Sequence, residues 1–294
     1  MTEGENPWTD RRIPVGEYVF DLAEQGETSP GAGRPVLLLH GFPQTHRCFD
    51  AVAERLLAAA ADTGRPLHLL APDQRGYSPG ARPAEISAYA IGELVADVLA
   101  ILDAAGIGTV DVVGHDWGAA VAWNLAARHP DRVRTLTAVS VPHPAALTAG
   151  IAQDPEQKEK SAYIGLFRQP GGNAEDVLLG DGAERLRALY APLSAEAIAP
   201  HFAALSDPAA LTPALNWYRA MSAQDSLELP EVSVPVTFLW SNGDVAIGRF
   251  AAERCASHVT GPYRFVELDG VSHWIPDQAP DALADAILRQ LSEA

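Results

Sequence analysis

The chain has 294 residues, 47% of them hydrophobic, enough to bury a sizeable core in one large α/β domain or in a core domain carrying an insertion. Its 21 Lys+Arg against 38 Asp+Glu give a formal charge of −17, which repels phosphate backbones and anionic lipid, so neither nucleic acid nor a membrane surface is an expected partner. No apolar run approaches the roughly 20 residues that span a bilayer; the N-terminus (MTEGENPWTD) lacks a basic region followed by an apolar stretch, and Cys48 and Cys255 sit in no metal-ligand or CxxC spacing, so the expectation is a cytoplasmic protein without a disulfide framework or zinc site.

Along the chain, short apolar runs of strand length alternate with Ala- and Leu-rich segments of helical spacing, the order of a parallel sheet built from βαβ units. A strand pair is expected around 14–23, then strands at 36–39 and 67–71 with a helix at 51–61 between them. A helix at 91–105, ended by Gly106, leads to a strand at 110–113, and a helix at 117–128, stopped by Pro130, leads to a strand at 136–141. The rhythm then breaks. Between 144 and 230 short helices are separated by Pro/Gly punctuation, as in Gln169-Pro170-Gly171-Gly172 and Ser206-Asp207-Pro208, with no buried strand. Strands resume at 234–240 and 264–268, with helices at 249–256 and 281–291. An insertion of that length in a compact domain is usually a functional lid. Residues 144–230 are therefore read as a helical cap over the carboxyl ends of a sheet formed by 1–143 and 231–294, rather than as a decoration remote from the chemistry.

The segment Gly114-His115-Asp116-Trp117-Gly118 joins a strand directly to a helix. This is the context of a nucleophile elbow, G-x-Nu-x-G, in which serine is the usual central residue and Asp116 stands here. Aspartate tolerates the strained, often positive-φ conformation of such a turn, and the start of the following helix favours an anion. The alternative is a Gly-rich turn with an incidental aspartate N-cap. A carboxylate with an ordinary pKa near 3.9 is already ionised at neutral pH, so it can displace a leaving group at an sp³ carbon without a base. The product is an alkyl ester of the enzyme, and its hydrolysis by water calls for a histidine base oriented by an acid. Both follow in the chain order of this fold: Asp244, after the strand at 234–240, and His273, after the strand at 264–268. Asp244 is expected to orient the imidazole while the other ring nitrogen takes a proton from water. His40-Gly41-Phe42-Pro43, after the strand at 36–39, occupies the place that supplies an oxyanion-hole N–H. Phe42 and Trp117 are expected to provide the pair, with Pro43 stiffening the loop.

The combination of HGFP at 40–43, Asp73-Gln74-Arg75-Gly76-Tyr77-Ser78, GHDWG at 114–118 and the late Asp244 and His273 resembles an α/β-hydrolase fold epoxide hydrolase, over about residues 13–292. Pro79-Gly80 departs from the family's D-x-R-G-x-G-x-S pattern and removes no catalytic group. The resemblance implies hydrolysis of an epoxide to a vicinal diol through an aspartyl ester, with no metal or organic cofactor. It also implies two cap tyrosines that hydrogen-bond the ring oxygen. Tyr218, in Leu215-Asn216-Trp217-Tyr218-Arg219, is similar to the family's second tyrosine motif. Tyr163 matches the first more loosely, with Tyr190 as its competitor. His40, Pro43 and Trp217 are expected against the substrate, a small hydrophobic or aromatic epoxide. Haloalkane dehalogenases use the same ester but show an asparagine where Phe42 stands, and fluoroacetate dehalogenases place an arginine where Trp117 stands. A haloalkane dehalogenase and a non-catalytic hydrolase-fold binding protein are the alternatives. A homodimer is left open, as are the identity of the epoxide and the enantiopreference.

Overall fold

The computed structural model describes residues 8–294; residues 1–7, part of the N-terminal stretch read above for a leader pattern, lie outside them. The expected N-terminal strand pair is an antiparallel hairpin, longer than 14–23: β1 (Thr9–Val15) and β2 (Tyr18–Gly26), turning at Gly16. There follow β3 (Arg34–Leu39), β4 (Leu67–Pro72), β5 (Val110–His115), β6 (Val133–Val139), β7 (Val236–Ser241) and β8 (Tyr263–Leu268). Among the described residues these form one sheet in the order β1-β2-β4-β3-β5-β6-β7-β8, parallel from β4 to β8. Two predicted strands shift. β6 begins at Val133 rather than 136 because Arg134 and Thr135, polar by composition, bond to the buried Asp111 carboxylate: Arg134 Nη2 to Oδ2 at 2.9 Å and Thr135 Oγ1 to Oδ1 at 2.8 Å. β7 begins at Val236 rather than 234 because Pro235 has no N–H for the ladder.

The core helices α1 (Asp50–Thr63), α2 (Ile91–Ala104) and α3 (Trp117–Arg128) fall close to their expected positions. The inserted segment is helical throughout: α4 (Pro144–Gln153), α5 (Pro155–Lys160), α6 (Tyr163–Phe167), α7 (Asn173–Leu189, broken at 180–183), α8 (Ala195–Leu205), α9 (Pro208–Arg219) and α10 (Ala223–Leu227). Side chains that break a helix elsewhere begin these helices: the Asp154, Ser194 and Asp207 oxygens accept N–H groups of the first turns of α5, α8 and α9. After the cap come α11 (Arg249–Arg254), α12 (Ile275–Gln278) and α13 (Pro280–Glu293). Strand alternation sorts the core into two layers. Leu37, Leu39, Val112, Leu136 and Phe238 face α2, α3 and the cap, whereas Val36, Leu38, Val113, Val139 and Leu239 face α1 and α13.

The strand-to-helix bend between β5 and α3 is permitted by missing side chains. A Cβ on Gly114 would run into the Gly118 carbonyl, and one on Gly118 into the Leu39 carbonyl at the end of β3. Neither neighbour is a side chain that can swing away. Gly118→Ala is therefore expected to force β3 and α3 apart and destabilise the fold by about 1–3 kcal/mol; an unchanged urea midpoint would show that the approach is not required.

Candidate active site

Four carboxyl ends of neighbouring strands meet beneath the cap. Register places Leu39 of β3 beside Gly114 of β5, His115 of β5 beside Val139 of β6, and Ser241 of β7 beside Leu268 of β8. The loops that follow β3, β5, β7 and β8 carry Phe42, Asp116, Asp244 and His273. Asp116 has φ 54°, the left-handed strain expected of an elbow, and is only 7% exposed. Its Oδ1 accepts the Phe42 N–H at 2.8 Å, and the Trp117 N–H also reaches the carboxylate. Both N–H groups thus address the Asp116 carboxylate. Gly41 makes this approach possible, since a Cβ there would overlap the Asp116 side chain.

Asp116 Oδ2 lies 3.4 Å from His273 Nε2. On the other side of the ring, Nδ1 lies 2.9 and 3.0 Å from the two Asp244 oxygens. Asp244 Oδ1 also accepts the Ala246 and Ile247 N–H groups at 2.7 and 3.0 Å. Burial disfavours a charge on His273, but the flanking carboxylates of Asp244 and Asp116 outweigh it and push its pKa up to about 10. Burial likewise raises the Asp116 carboxyl, and the hydrogen bond and charge of His273, with help from the Trp117 N–H, hold it below the usual carboxylate range. The arrangement favours an imidazolium on His273 beside an ionised Asp116. Two groups not singled out in the sequence brace it: the His273 carbonyl accepts His115 Nε2 and Ser140 Oγ, each at 2.9 Å. His115 is held neutral, with its pKa down to about 4, by burial and by the His273 charge. Its place inside GHDWG was the available signal.

The cavity above Asp116 is lined by both expected tyrosines, Tyr163 from α6 and Tyr218 from α9, and by Trp117 and Trp217. Ile151, Leu147, Met221 and Ile247 make much of the remaining wall apolar. The Tyr218 side chain lies within hydrogen-bonding reach of both the Tyr163 hydroxyl and Trp117. Burial, reinforced by the nearby carboxylates, pushes both phenols up from their ordinary pKa, so they remain protonated donors. Tyr218 is held by its neighbour: the Arg219 guanidinium forms a buried bidentate pair with Glu175 of α7, at 3.0 and 2.9 Å. Trp217 also donates its indole N–H to the Arg75 carbonyl at 2.8 Å, and Arg75 is fixed by two 2.6 Å bonds to the buried Asp97. The motif Asp73-Gln74-Arg75-Gly76 is thus a docking point for the cap, with Pro213 of α9 seated on Gly76.

Three expectations are corrected. His40 is fully buried behind the loop rather than against a substrate: its Nε2 accepts the Gln74 N–H at 3.2 Å, and it is absent from the cavity wall. Pro43 is likewise off the wall and uses its carbonyl to accept the Tyr190 hydroxyl at 2.6 Å. That bond makes Tyr190 a structural strut and removes it as a competitor to Tyr163. Because the Asp116 charge helps hold the His273 proton, Asp116→Asn is expected to lower the His273 pKa from about 10 toward the ordinary histidine range. An NMR titration of the imidazole checks this, and an unmoved midpoint would refute the coupling.

Comparison with known proteins agrees with this geometry. The alpha/beta hydrolase fold family matches residues 34–280. The chain is 33% identical to Epoxide hydrolase A of Mycobacterium tuberculosis, over 97% of each chain. It is 32% identical to AB hydrolase superfamily protein YfhM of Bacillus subtilis, over 88% of this chain and 90% of that one. The crystal structure of Epoxide Hydrolase A from Mycobacterium thermoresistibile superposes with a TM-score of 0.81 at 30% identity, covering 97% of this chain and 98% of that one. The elbow with its aspartate, the triad order and these matches agree: the chain belongs to the α/β-hydrolase fold family, in the branch that holds the epoxide hydrolases.

Proposed function

We propose that this chain is an epoxide hydrolase that converts a hydrophobic epoxide to a vicinal diol through an ester of Asp116. The observation that carries the reading is the convergence on one cavity of a nucleophilic carboxylate and two protonated cap phenols, Tyr163 and Tyr218. An epoxide oxygen leaves as an alkoxide, a poor leaving group unless hydrogen bonds and a proton reach it as the C–O bond breaks. The phenols face that need, and a halide leaving group has none for them.

The two carboxylate oxygens of Asp116 divide the work. Oδ1 is engaged by the Phe42 N–H, so Oδ2 is the oxygen that forms the bond to carbon while the ring oxygen takes a proton from the tyrosine pair. Esterification neutralises Asp116 and removes one of the two anions that hold the His273 proton. The imidazolium then gives up its proton, which through solvent restores the tyrosine that protonated the ring oxygen, and the neutral imidazole, still oriented by Asp244, becomes a base. It takes a proton from water, the water oxygen attacks the ester carbonyl carbon, and the resulting oxyanion develops on Oδ1 between the Phe42 and Trp117 N–H groups. Collapse breaks the bond between the carbonyl carbon and Oδ2, His273 returns its proton to Oδ2 as the diol leaves, and the acid proton left on Asp116 passes to the imidazole to restore the resting state. No metal or organic cofactor enters any step.

A single turnover in ¹⁸O-labelled water is expected to place label in the peptide containing Asp116 and none in the diol; label confined to the diol would mean direct attack by water. His273→Gln is expected to trap the ester, seen as a mass increase equal to that of the substrate, and an adduct-free spectrum would oppose the ester route. Tyr163→Phe and Tyr218→Phe are each expected to slow ester formation from an epoxide by about 10²-fold. Equal rates for the tyrosine variants and the parent, with release of halide from a haloalkane, would favour the dehalogenase reading instead.

A further inference from the structure

The loop that carries Asp244 is gripped from the cap at three alternate residues. Gln157 of α5, with no exposed surface, donates Nε2 to the Ala246 carbonyl at 2.8 Å and accepts the Gly248 N–H on Oε1 at 2.8 Å. The same Nε2 reaches Ser161 Oγ at 2.9 Å, so every donor and acceptor of this amide is used toward fixed groups. One turn later Lys160 Nζ donates to the carbonyl of Asp244 itself at 2.5 Å. The seat is closely fitted: a Cβ on Gly150 of α4 would press on the Gln157 side chain at 3.1 Å and on Ala251 at 3.1 Å. The segment so held, 244–248, has a defined task, because its Ala246 and Ile247 N–H groups are the donors that fix Asp244 Oδ1. A core loop would ordinarily be fixed by its own domain. Here the core supplies part of the constraint, through the Asp244 N–H on the Ser241 carbonyl at 3.1 Å and Trp240 Nε1 on the Ile247 carbonyl at 3.2 Å, and the inserted helices add the bonds at 244, 246 and 248.

We propose that Gln157, seconded by Lys160, is a positioning residue that makes docking of the cap a condition for the His273–Asp244 pair to act as a base. The inference rests on the reading above that Asp116 forms an ester, and it assigns Gln157 to one half of the reaction. Ring opening by Asp116 needs the carboxylate and the two tyrosines, which Gln157 does not touch. Ester hydrolysis needs the imidazole aimed at water, and Asp244 sets that aim. A catalytic group displaced by about 1 Å can lose about 10²-fold in rate.

The test follows both half-reactions by rapid quench and intact mass in the full chain, using an aromatic epoxide. Gln157→Met keeps the bulk and removes the amide. The expected result is ester formation close to the parent rate, with ester decay slowed by about 10- to 100-fold so that the adduct persists. Lys160→Met, at a partly exposed position, removes the bond to the Asp244 carbonyl together with a solvent-exposed 3.7 Å pair to Glu156, and is expected to slow decay in the same direction by less. Should Gln157→Met fail to fold, Lys160→Met carries the same test. Decay at the parent rate in a folded variant, or formation and decay slowed equally, would overturn the inference and leave the ester mechanism standing. Absence of any adduct or diol with the parent protein would instead overturn the reading on which it rests.

Discussion

A histidine cation held out of water between two carboxylates is the constraint that the rest of this structure serves. Each such charge carries several kcal/mol of desolvation penalty, which mutual attraction offsets only when the remaining lone pairs also find donors. Those donors are backbone N–H groups: Phe42 and Trp117 for Asp116, Ala246 and Ile247 for Asp244. Each belongs to a loop leaving the carboxyl end of a strand, and the parallel order β3-β5-β6-β7-β8 brings these ends to one edge. The sheet is therefore the device that assembles enough oriented dipoles to keep three ionised groups in a dry place.

The cap completes the enclosure and adds what the sheet lacks, two protonated phenols over the cavity. Its seat on the core combines apolar packing, such as Phe167 on Phe42 and Trp217 on Tyr77, with buried hydrogen bonds. Trp217 places one hydrogen bond on the Arg75 carbonyl, Tyr190 one on the Pro43 carbonyl, and Gln157 two on the 246–248 backbone, each directed at a core loop. An apolar interface of similar size would bury as much surface but would tolerate sliding. Directed bonds fix register, which two tyrosines that must meet one oxygen atom require.

Much of this was legible in the sequence because it depends on punctuation and order. Gly114 and Gly118 around Asp116 announce a bend that only small residues permit. Asp244 and His273 fall in loops after apolar runs, where strand ends put them together. The two tyrosines could be placed because the second sits in a specific motif. Other parts were not legible, for identifiable reasons. β6 starts early because Arg134 and Thr135 satisfy Asp111, a partnership across strands that local hydrophobicity does not record. His40 and Pro43 share a motif with Phe42, yet the motif does not say which residue presents its backbone to the site and which turns inward. Gln157 lies in Pro155–Lys160, a short polar helix that reads as solvated surface; its burial exists only once the 244–248 loop is beside it.

The same side chain, aspartate, does two jobs here, and the difference lies wholly in surroundings. Both Asp244 oxygens face His273 Nδ1, and one of them also takes two backbone N–H groups, so its lone pairs are spent on fixed donors. It can steady a charge and has little left with which to attack carbon. On Asp116 the division is uneven: Oδ1 accepts the Phe42 N–H at 2.8 Å, while Oδ2 lies a longer 3.4 Å from His273 Nε2. In the proposed mechanism that asymmetry leaves one oxygen reactive and keeps the other in the place where negative charge later develops. Covalent attack and ester hydrolysis, as proposed, would then share one set of donors, because the atom that needs them in the second step does not leave them in the first.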